Sequence, residues 1–228
     1  MTSTEELRQE AEDGTGEVII LSWRERLLVE GPNYALAALL AGAWIFALVH
    51  DRGMSDWGVS LEALRQGRYE TIFAHMFAHG GAMHLVMNIS ALLPLGATVI
   101  WASGDWPGNW LHWAILFLLS GLAGCLAFLL IHADNGVPML GASGAIFGLW
   151  GTVARLGREP GEIVSLWSRQ VWHVTRSAVT INLVIFVPLF LLNWALGGNG
   201  GLAWESHLGG YAFGLLAAPC FLRARAPR

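Results

Sequence analysis

Ser143 and His207 are the two side chains of this sequence whose types could together cut a covalent bond. Ser143 lies in Gly141-Ala142-Ser143-Gly144-Ala145-Ile146-Phe147-Gly148, among small residues at the start of an apolar stretch. A hydroxyl there serves either helix packing or nucleophilic attack, and attack needs a base from elsewhere in the chain. His207, in Glu205-Ser206-His207-Leu208-Gly209-Gly210, opens the last apolar stretch and offers an imidazole that exchanges protons near neutral pH. A serine nucleophile also needs donors where negative charge develops. His84 and Asn88, spaced i, i+4, fall on one helical face, and both can donate. A helix beginning near Ser143 would add its first backbone N–H groups and the positive end of its dipole. Glu205 stands two residues from His207 and so projects to nearly the opposite side of a helix, and no other carboxylate falls inside the apolar stretches. The chemistry on offer is that of a Ser–His dyad.

The elements that must position these groups are membrane helices. The 228 residues are 54% hydrophobic and 13% charged, with a mean hydropathy of +0.50, too apolar for an ordinary soluble domain. Six stretches approach the roughly 20 apolar residues that cross about 30 Å of hydrocarbon. They are Tyr34–His50, His84–Trp101, Leu111–Ile131, Met139–Leu156, Ala178–Leu196 and Ser206–Leu222. The expected fold is an all-α polytopic membrane protein, a six-transmembrane-helix bundle. Residues 1–31 read as a polar cytoplasmic tail, 32–222 as the membrane domain and 223–228 as a basic cytoplasmic tail. The net charge of -4 comes largely from the first of these (Glu5, Glu6, Glu10, Glu12, Asp13, Glu17), and nucleic acid is excluded as a partner. The start lacks the basic then apolar pattern of a cleavable signal, so the first span is expected to act as its own insertion signal. Trp23 to Val29 is expected to form a short interfacial helix. The connection from Asp51 to Met83 is too interrupted by charge to span and is expected as an amphipathic loop in the outer leaflet, while Gly157 to Ser177 is expected to lie along a headgroup layer.

Orientation follows from arginine, because the sequence has no lysine. With a cytoplasmic N-terminus, Arg8, Arg24, Arg26, Arg155, Arg158, Arg169, Arg176, Arg223, Arg225 and Arg228 fall inside, and only Arg52, Arg65 and Arg68 outside. Segments two, four and six then all begin at the outer face, which places His84, Ser143 and His207 at similar depth. His207, Gly210 and Gly214 share one helical stripe, and segment four carries Gly144 and Gly148. Small residues at such spacing let membrane helices approach closely, so segments four and six are expected to pack and bring Ser143 to His207. The plainer reading is that the glycines only pack helices and that each polar residue is locally satisfied. The match in depth between the serine and histidine, each flanked by glycines, favours a site.

These residues also carry a resemblance. Gly141-Ala142-Ser143-Gly144, His84-Leu-Val-Met-Asn88 and His207-Leu-Gly-Gly210-Tyr-Ala-Phe-Gly214 resemble, in order and on spans four, two and six, the signature motifs of the rhomboid intramembrane serine proteases. The resemblance runs from about Tyr34 to Leu222. It implies that Ser143 is the nucleophile, His207 the general base, and His84 and Asn88 the holders of the oxyanion. It also implies peptide-bond hydrolysis in or near transmembrane segments of single-span or polytopic membrane proteins, with membrane lipids as surroundings and no cofactor. His79 resembles a recurrent loop histidine of the family. Where rhomboids often carry a Trp-Arg pair, this chain has Glu70-Thr71, and Phe147 stands where tyrosine is common. The folded N-terminal extension of some members is not expected here.

Hydrolysis inside a bilayer needs a polar cavity open to the outer face. Asn135-Gly136-Val137-Pro138 is expected to dip below the surface and start a short fourth helix inside it. Substrate helices must unwind before attack, so small, helix-weakening residues near the cut are expected. By resemblance the lateral entrance lies near span five and Gly197-Gly198-Asn199-Gly200-Gly201, which reads equally as a mobile cap or an ordinary turn.

Other signals carry less. His75, His79 and His84 suggest a metal site, but no HExxH pattern occurs and none is expected. A solute transporter would show midspan polar residues and repeated halves; Asn182 and Asn193 stand in span five, without a repeat. The alternative to a protease is a non-catalytic rhomboid-like binder of transmembrane helices, which would have no need of both Ser143 and His207. A short six-span form suits a bacterial inner membrane, with both termini cytoplasmic and the site opening outward.

Overall fold

The computed structural model describes residues 22–50, 54–104, 107–132, 137–159, 161–195 and 203–222. Both predicted tails, apart from residues 22–31, lie outside these residues, as do Asn135, Gly136, the glycines from 197 to 201 and the side chain of Asn193. Among the described residues the chain is helical, with two isolated antiparallel bridges, Val59 to Met139 and Leu156 to Ile163.

Helix α1, Trp23–Val29, forms where expected because Ser22 and Glu25 close a reciprocal capping box. It leads through Glu30 into α2, Gly31–Val49. The loop that follows is built from short pieces: a 3₁₀ turn at Met54–Trp57, α3 at Leu61–Arg65, α4 at Thr71–Ala74 and a 3₁₀ turn at His75–Phe77. Then come α5, Ala82–Ala102, and α6, Gly108–Ile131. α7 spans Ser143–Val153 and α8 spans Arg169–Ile181. A π-helical turn at Asn182–Phe186 joins α8 to α9, Val187–Ala195, and α10 runs from Trp204 to Phe221.

Among the described residues three helices, α2, α5 and α6, are long and apolar enough to cross a membrane. Their outward faces remain apolar, with Leu39, Ile45, Val86, Leu126 and Leu130 all exposed. A helix that is apolar on both its packed and its open faces needs lipid rather than water around it. The chain is therefore a multi-pass membrane protein.

α7 occupies the middle, surrounded by α10, α6 and α5. Its contact with α10 is backbone against backbone. A Cβ on Gly210 would overlap the Gly144 carbonyl oxygen, and one on Gly214 would overlap that of Gly148. The two glycine pairs expected to meet do meet, and Thr152 Oγ1 ties the helices together, 3.0 Å from its own helix at Gly148 O and 3.1 Å from Gly214 O. Arg155 closes the lower end, donating to Val164 O at 2.7 Å and Leu215 O at 3.1 Å.

Two predicted boundaries move. Segment four, expected from Met139, is helical only from Ser143, because Met139 is paired with Val59 in two hydrogen bonds of 2.8 and 2.9 Å. Segment five, expected from Ala178, belongs to a helix that starts at Arg169, so Arg169–Ser177 is helical and the connection is the shorter stretch before it. Ser168 caps that helix through Val171 N at 3.2 Å. Charge marks the limit of apolar sequence, but α8 continues past it as an amphipathic helix, burying Val171 and Ala178.

Candidate active site

Ser143 is the first residue of α7, and no side chain caps the helix at Ala142. The start is set by Gly141, whose φ of +124° is open to glycine and strained for other residues. Gly141 is also held from outside the helix: its N–H donates to His75 O at 2.9 Å, fastening the pre-helix segment to the loop. The half-buried Ser143 hydroxyl therefore stands at the mouth of an uncapped helix.

His207 lies in the first turn of α10, buried at 5% exposure. The glycine contacts bring its ring to α7, and Nε2 lies 2.8 Å from Ser143 Oγ. The imidazole stacks on Phe147, centroids 4.3 Å apart and planes 8° from parallel, which fixes the ring plane from one side. The ring that replaces the common tyrosine thus keeps its packing role.

His207 Nδ1 lies 2.8 Å from Asn182 Oδ1. Asn182 is the first residue of the π turn, and its Nδ2 donates to Ala178 O at 2.9 Å. Sequence reasoning noted Asn182 only as midspan polarity. The signal that could have found it is its place on the stripe Val171, Val174, Ala178, Asn182, the face that α8 turns to the bundle. Glu205 turns away from His207, as expected, and its Oε1 lies 3.5 Å from His132 Nε2.

His84 and Asn88 form the wall opposite Gly141. A Cβ built on Gly141 would lie 2.8 Å from His84 Cε1 and Nε2 and 3.6 Å from Asn88 Nδ2. Among the described residues, the buried Asn88 Nδ2 has no hydrogen-bond partner. An unpaired buried donor is costly, about 1–3 kcal/mol, and here it lies beside the uncapped start of α7. The geometry offers donors to an anion placed next to Ser143.

The loop supports this wall. His79 packs edge-on against His84 at 5.1 Å, and its N–H meets Met54 Sδ at 3.4 Å. His75 is buried and donates from Nδ1 to Thr71 O at 3.1 Å. Burial pushes the pKa of His75 down to about 4, with backbone hydrogen bonds to Thr71 and Ile72 opposing it. Burial, and next the neighbouring His84, push His79 down to about 4. At the Glu70-Thr71 departure, Thr71 is fully buried and its hydroxyl donates to Arg68 O at 2.7 Å, so the loop is anchored from within. Among the described residues no group of three potential ligands could hold a metal.

The Rhomboid domain family matches residues 66–224, so the chain belongs to the rhomboid family of multi-pass membrane proteins. It is 32% identical over 138 residues to RHOMBOID-like protein 4 of Arabidopsis thaliana, covering 60% of this chain and 30% of that protein. It is 28% identical over 151 residues to Rhomboid-type serine protease 2 of Emericella nidulans, covering 65% and 26%. RHOMBOID-like protein 12, mitochondrial, of Arabidopsis thaliana is 25% identical over 198 residues, 81% of this chain and 57% of that protein. The chain thus spans less than a third of the length of the first two relatives.

Proposed function

We propose that this chain is an intramembrane serine protease that hydrolyses peptide bonds in or near the transmembrane segments of other membrane proteins. The observation that carries this reading is the 2.8 Å contact between His207 Nε2 and the half-buried Ser143 Oγ, held between two helices in backbone contact. In the proposed reaction His207 Nε2 takes the hydroxyl proton as Ser143 Oγ attacks the scissile carbonyl carbon. The carbonyl oxygen becomes an oxyanion, accepting hydrogen bonds from Asn88 Nδ2, His84 and the Ser143 N–H. The C–N bond then breaks, and the imidazolium returns its proton to the leaving amine. Water, deprotonated by the same nitrogen, hydrolyses the ester and regenerates the serine. No metal or organic cofactor takes part.

The proposed setting is a six-span bundle with both termini cytoplasmic, the site opening at the outer face, and the substrate helix entering beside α8 and α9. The arginine distribution supports that orientation. The family match supports a membrane-protein substrate, and the name of the fungal relative goes with serine protease chemistry. The relatives include plant, fungal, mycobacterial and mitochondrial proteins, and they do not single out a bacterial inner membrane.

The test is cleavage of a tagged single-span substrate by the purified protein in liposomes. Wild type releases product, and Ser143→Ala and His207→Ala each reduce the rate by about 10³-fold or more. Substrates that bind without being cut by wild type would overturn the reading in favour of a non-catalytic binder of transmembrane helices.

A further inference from the structure

We infer that Asn182 is a positioning residue that selects the tautomer of His207, making a three-residue relay of Ser143, His207 and Asn182. The inference rests on the protease reading and adds to it a part that the paired serine and histidine do not contain.

Which end of the Asn182 amide faces the ring decides the tautomer. An amide has one donor end and one acceptor end. Asn182 Nδ2 lies 2.9 Å from Ala178 O, a carbonyl that can only accept. Turning the amide over would set two carbonyl oxygens against each other, so Oδ1 is the atom presented to the imidazole, at 2.8 Å from Nδ1. Oδ1 only accepts, so Nδ1 carries the proton. In a neutral ring Nε2 is then bare, and it is Nε2 that faces Ser143 Oγ at 2.8 Å. The hydroxyl therefore donates to the ring, the arrangement a general base requires. When the ring takes the serine proton, the Nδ1–H···Oδ1 bond becomes charge-assisted and strengthens.

The backbone explains how the amide reaches that spot. Val171, Ala178 and Asn182 follow one another down the bundle-facing stripe, and Thr175 holds the same helix to α10 through Tyr211 Oη at 2.8 Å. The helix opens into a π turn at Asn182, after which Leu183, Val184 and Ile185 are exposed. π turns commonly re-aim side chains at functional sites. Here the turn ends the packed stripe on a polar residue and sends the next residues outward. Phe147 fixes the plane of the ring, and Asn182 fixes its proton.

The experiment compares purified wild type with Asn182→Leu, which keeps the size and removes the acceptor, and Asn182→Asp, which keeps an acceptor oxygen. In cleavage assays Asn182→Leu is expected to lower kcat about 10- to 100-fold, the usual cost of losing an orienting partner, with KM within twofold and the melting temperature unchanged. Asn182→Asp is expected to recover part of that loss. A purely structural role would lower both variants together with the melting temperature, and that result, or a wild-type kcat in Asn182→Leu, would overturn the inference. ¹⁵N spectra of histidine-labelled protein, assigned with His207→Gln, read the tautomer without substrate. Protonated Nδ1 and bare Nε2 in wild type, mixed in Asn182→Leu, are expected; a proton on Nε2 in wild type would overturn it. Because the spectra need no turnover, they separate failure of this inference from failure of the protease reading, which Ser143→Ala tests.

Discussion

Gly141 carries two demands that no other residue type meets together. Its φ of +124° is strained for residues with a Cβ, and the space a Cβ would take is filled by the His84 ring, 2.8 Å away. Gly141, two residues before the serine, is therefore part of the wall that holds His84 and Asn88, beyond any role in close helix packing. Gly141→Ala is expected to cost about 1–3 kcal/mol in backbone strain. Relief requires His84 to move, so if His84 is an oxyanion donor as proposed, cleavage is expected to fall by up to about 10²–10³-fold, the cost of losing such a donor. Thermal unfolding in detergent together with the cleavage rate checks this. A variant with a lowered melting temperature and an unaltered rate would show that the wall is not used.

At the scale of elements, the site exists because α7 and α10 touch through their backbones. Gly144 faces Gly210, and Gly148 faces Gly214, so the helices lie closer than side chains would allow. Thr152 and Arg155 then lock depth and rotation by bonding α10 carbonyls. A Gly210→Val substitution forces α10 away from α7 and is expected to destabilise the protein by about 1–3 kcal/mol. His207 is on the same helical face one turn earlier, so under the proposed protease reading even a 1 Å retreat is expected to cost about 10²-fold in cleavage. Leu208→Val, at a position 58% exposed on the outer face, is the control and is expected to leave both quantities within error. Equal effects of the two substitutions would argue against the glycine contact as the positioning device.

At the scale of the whole molecule, the loop before α5 ties together the end of the bundle that carries Ser143 and His207. Val59 pairs with Met139, His75 O receives Gly141 N–H, and Met76 packs against Gly121 of α6. Its two buried histidines make that clamp acid-sensitive. Each has a pKa of about 4 in the folded loop, against about 6.5 when unfolded. The folded state thus prefers them neutral, and unfolding takes up protons at intermediate pH. The stability they confer is complete above pH ~6.5 and is lost as pH falls through about 4, on the order of 3 kcal/mol for each at the limit. The melting temperature in detergent is expected to drop between pH 7 and pH 4.5, and His79→Gln is expected to shrink that drop. An unchanged drop in the variant would remove His79 from the cause.

Much of this molecule is legible in its amino-acid sequence. Periodicity places Gly144 and Gly148 opposite Gly210 and Gly214, because close packing of membrane helices follows from small residues at helical spacing. Hydropathy marks the long helices α2, α5 and α6, because lipid selects composition over some 20 residues at a time. Residue type singles out Ser143, His207, His84 and Asn88, since polarity in an apolar stretch is costly enough to need a reason. The tertiary structure decides what depends on position to within an ångström. The helix start at Ser143 comes from a positive φ at Gly141 and from hydrogen bonds made by a loop more than sixty residues earlier. The start of α8 at Arg169 comes from a serine cap rather than from hydropathy. The partnership of Asn182 with His207 joins residues 25 apart and needs the rotation of α8, the π turn and the depth of α10 to agree at once. The reason is one of range: spacing and hydropathy act within a helix, whereas a hydrogen bond between helices exists only when both are fixed in rotation and depth.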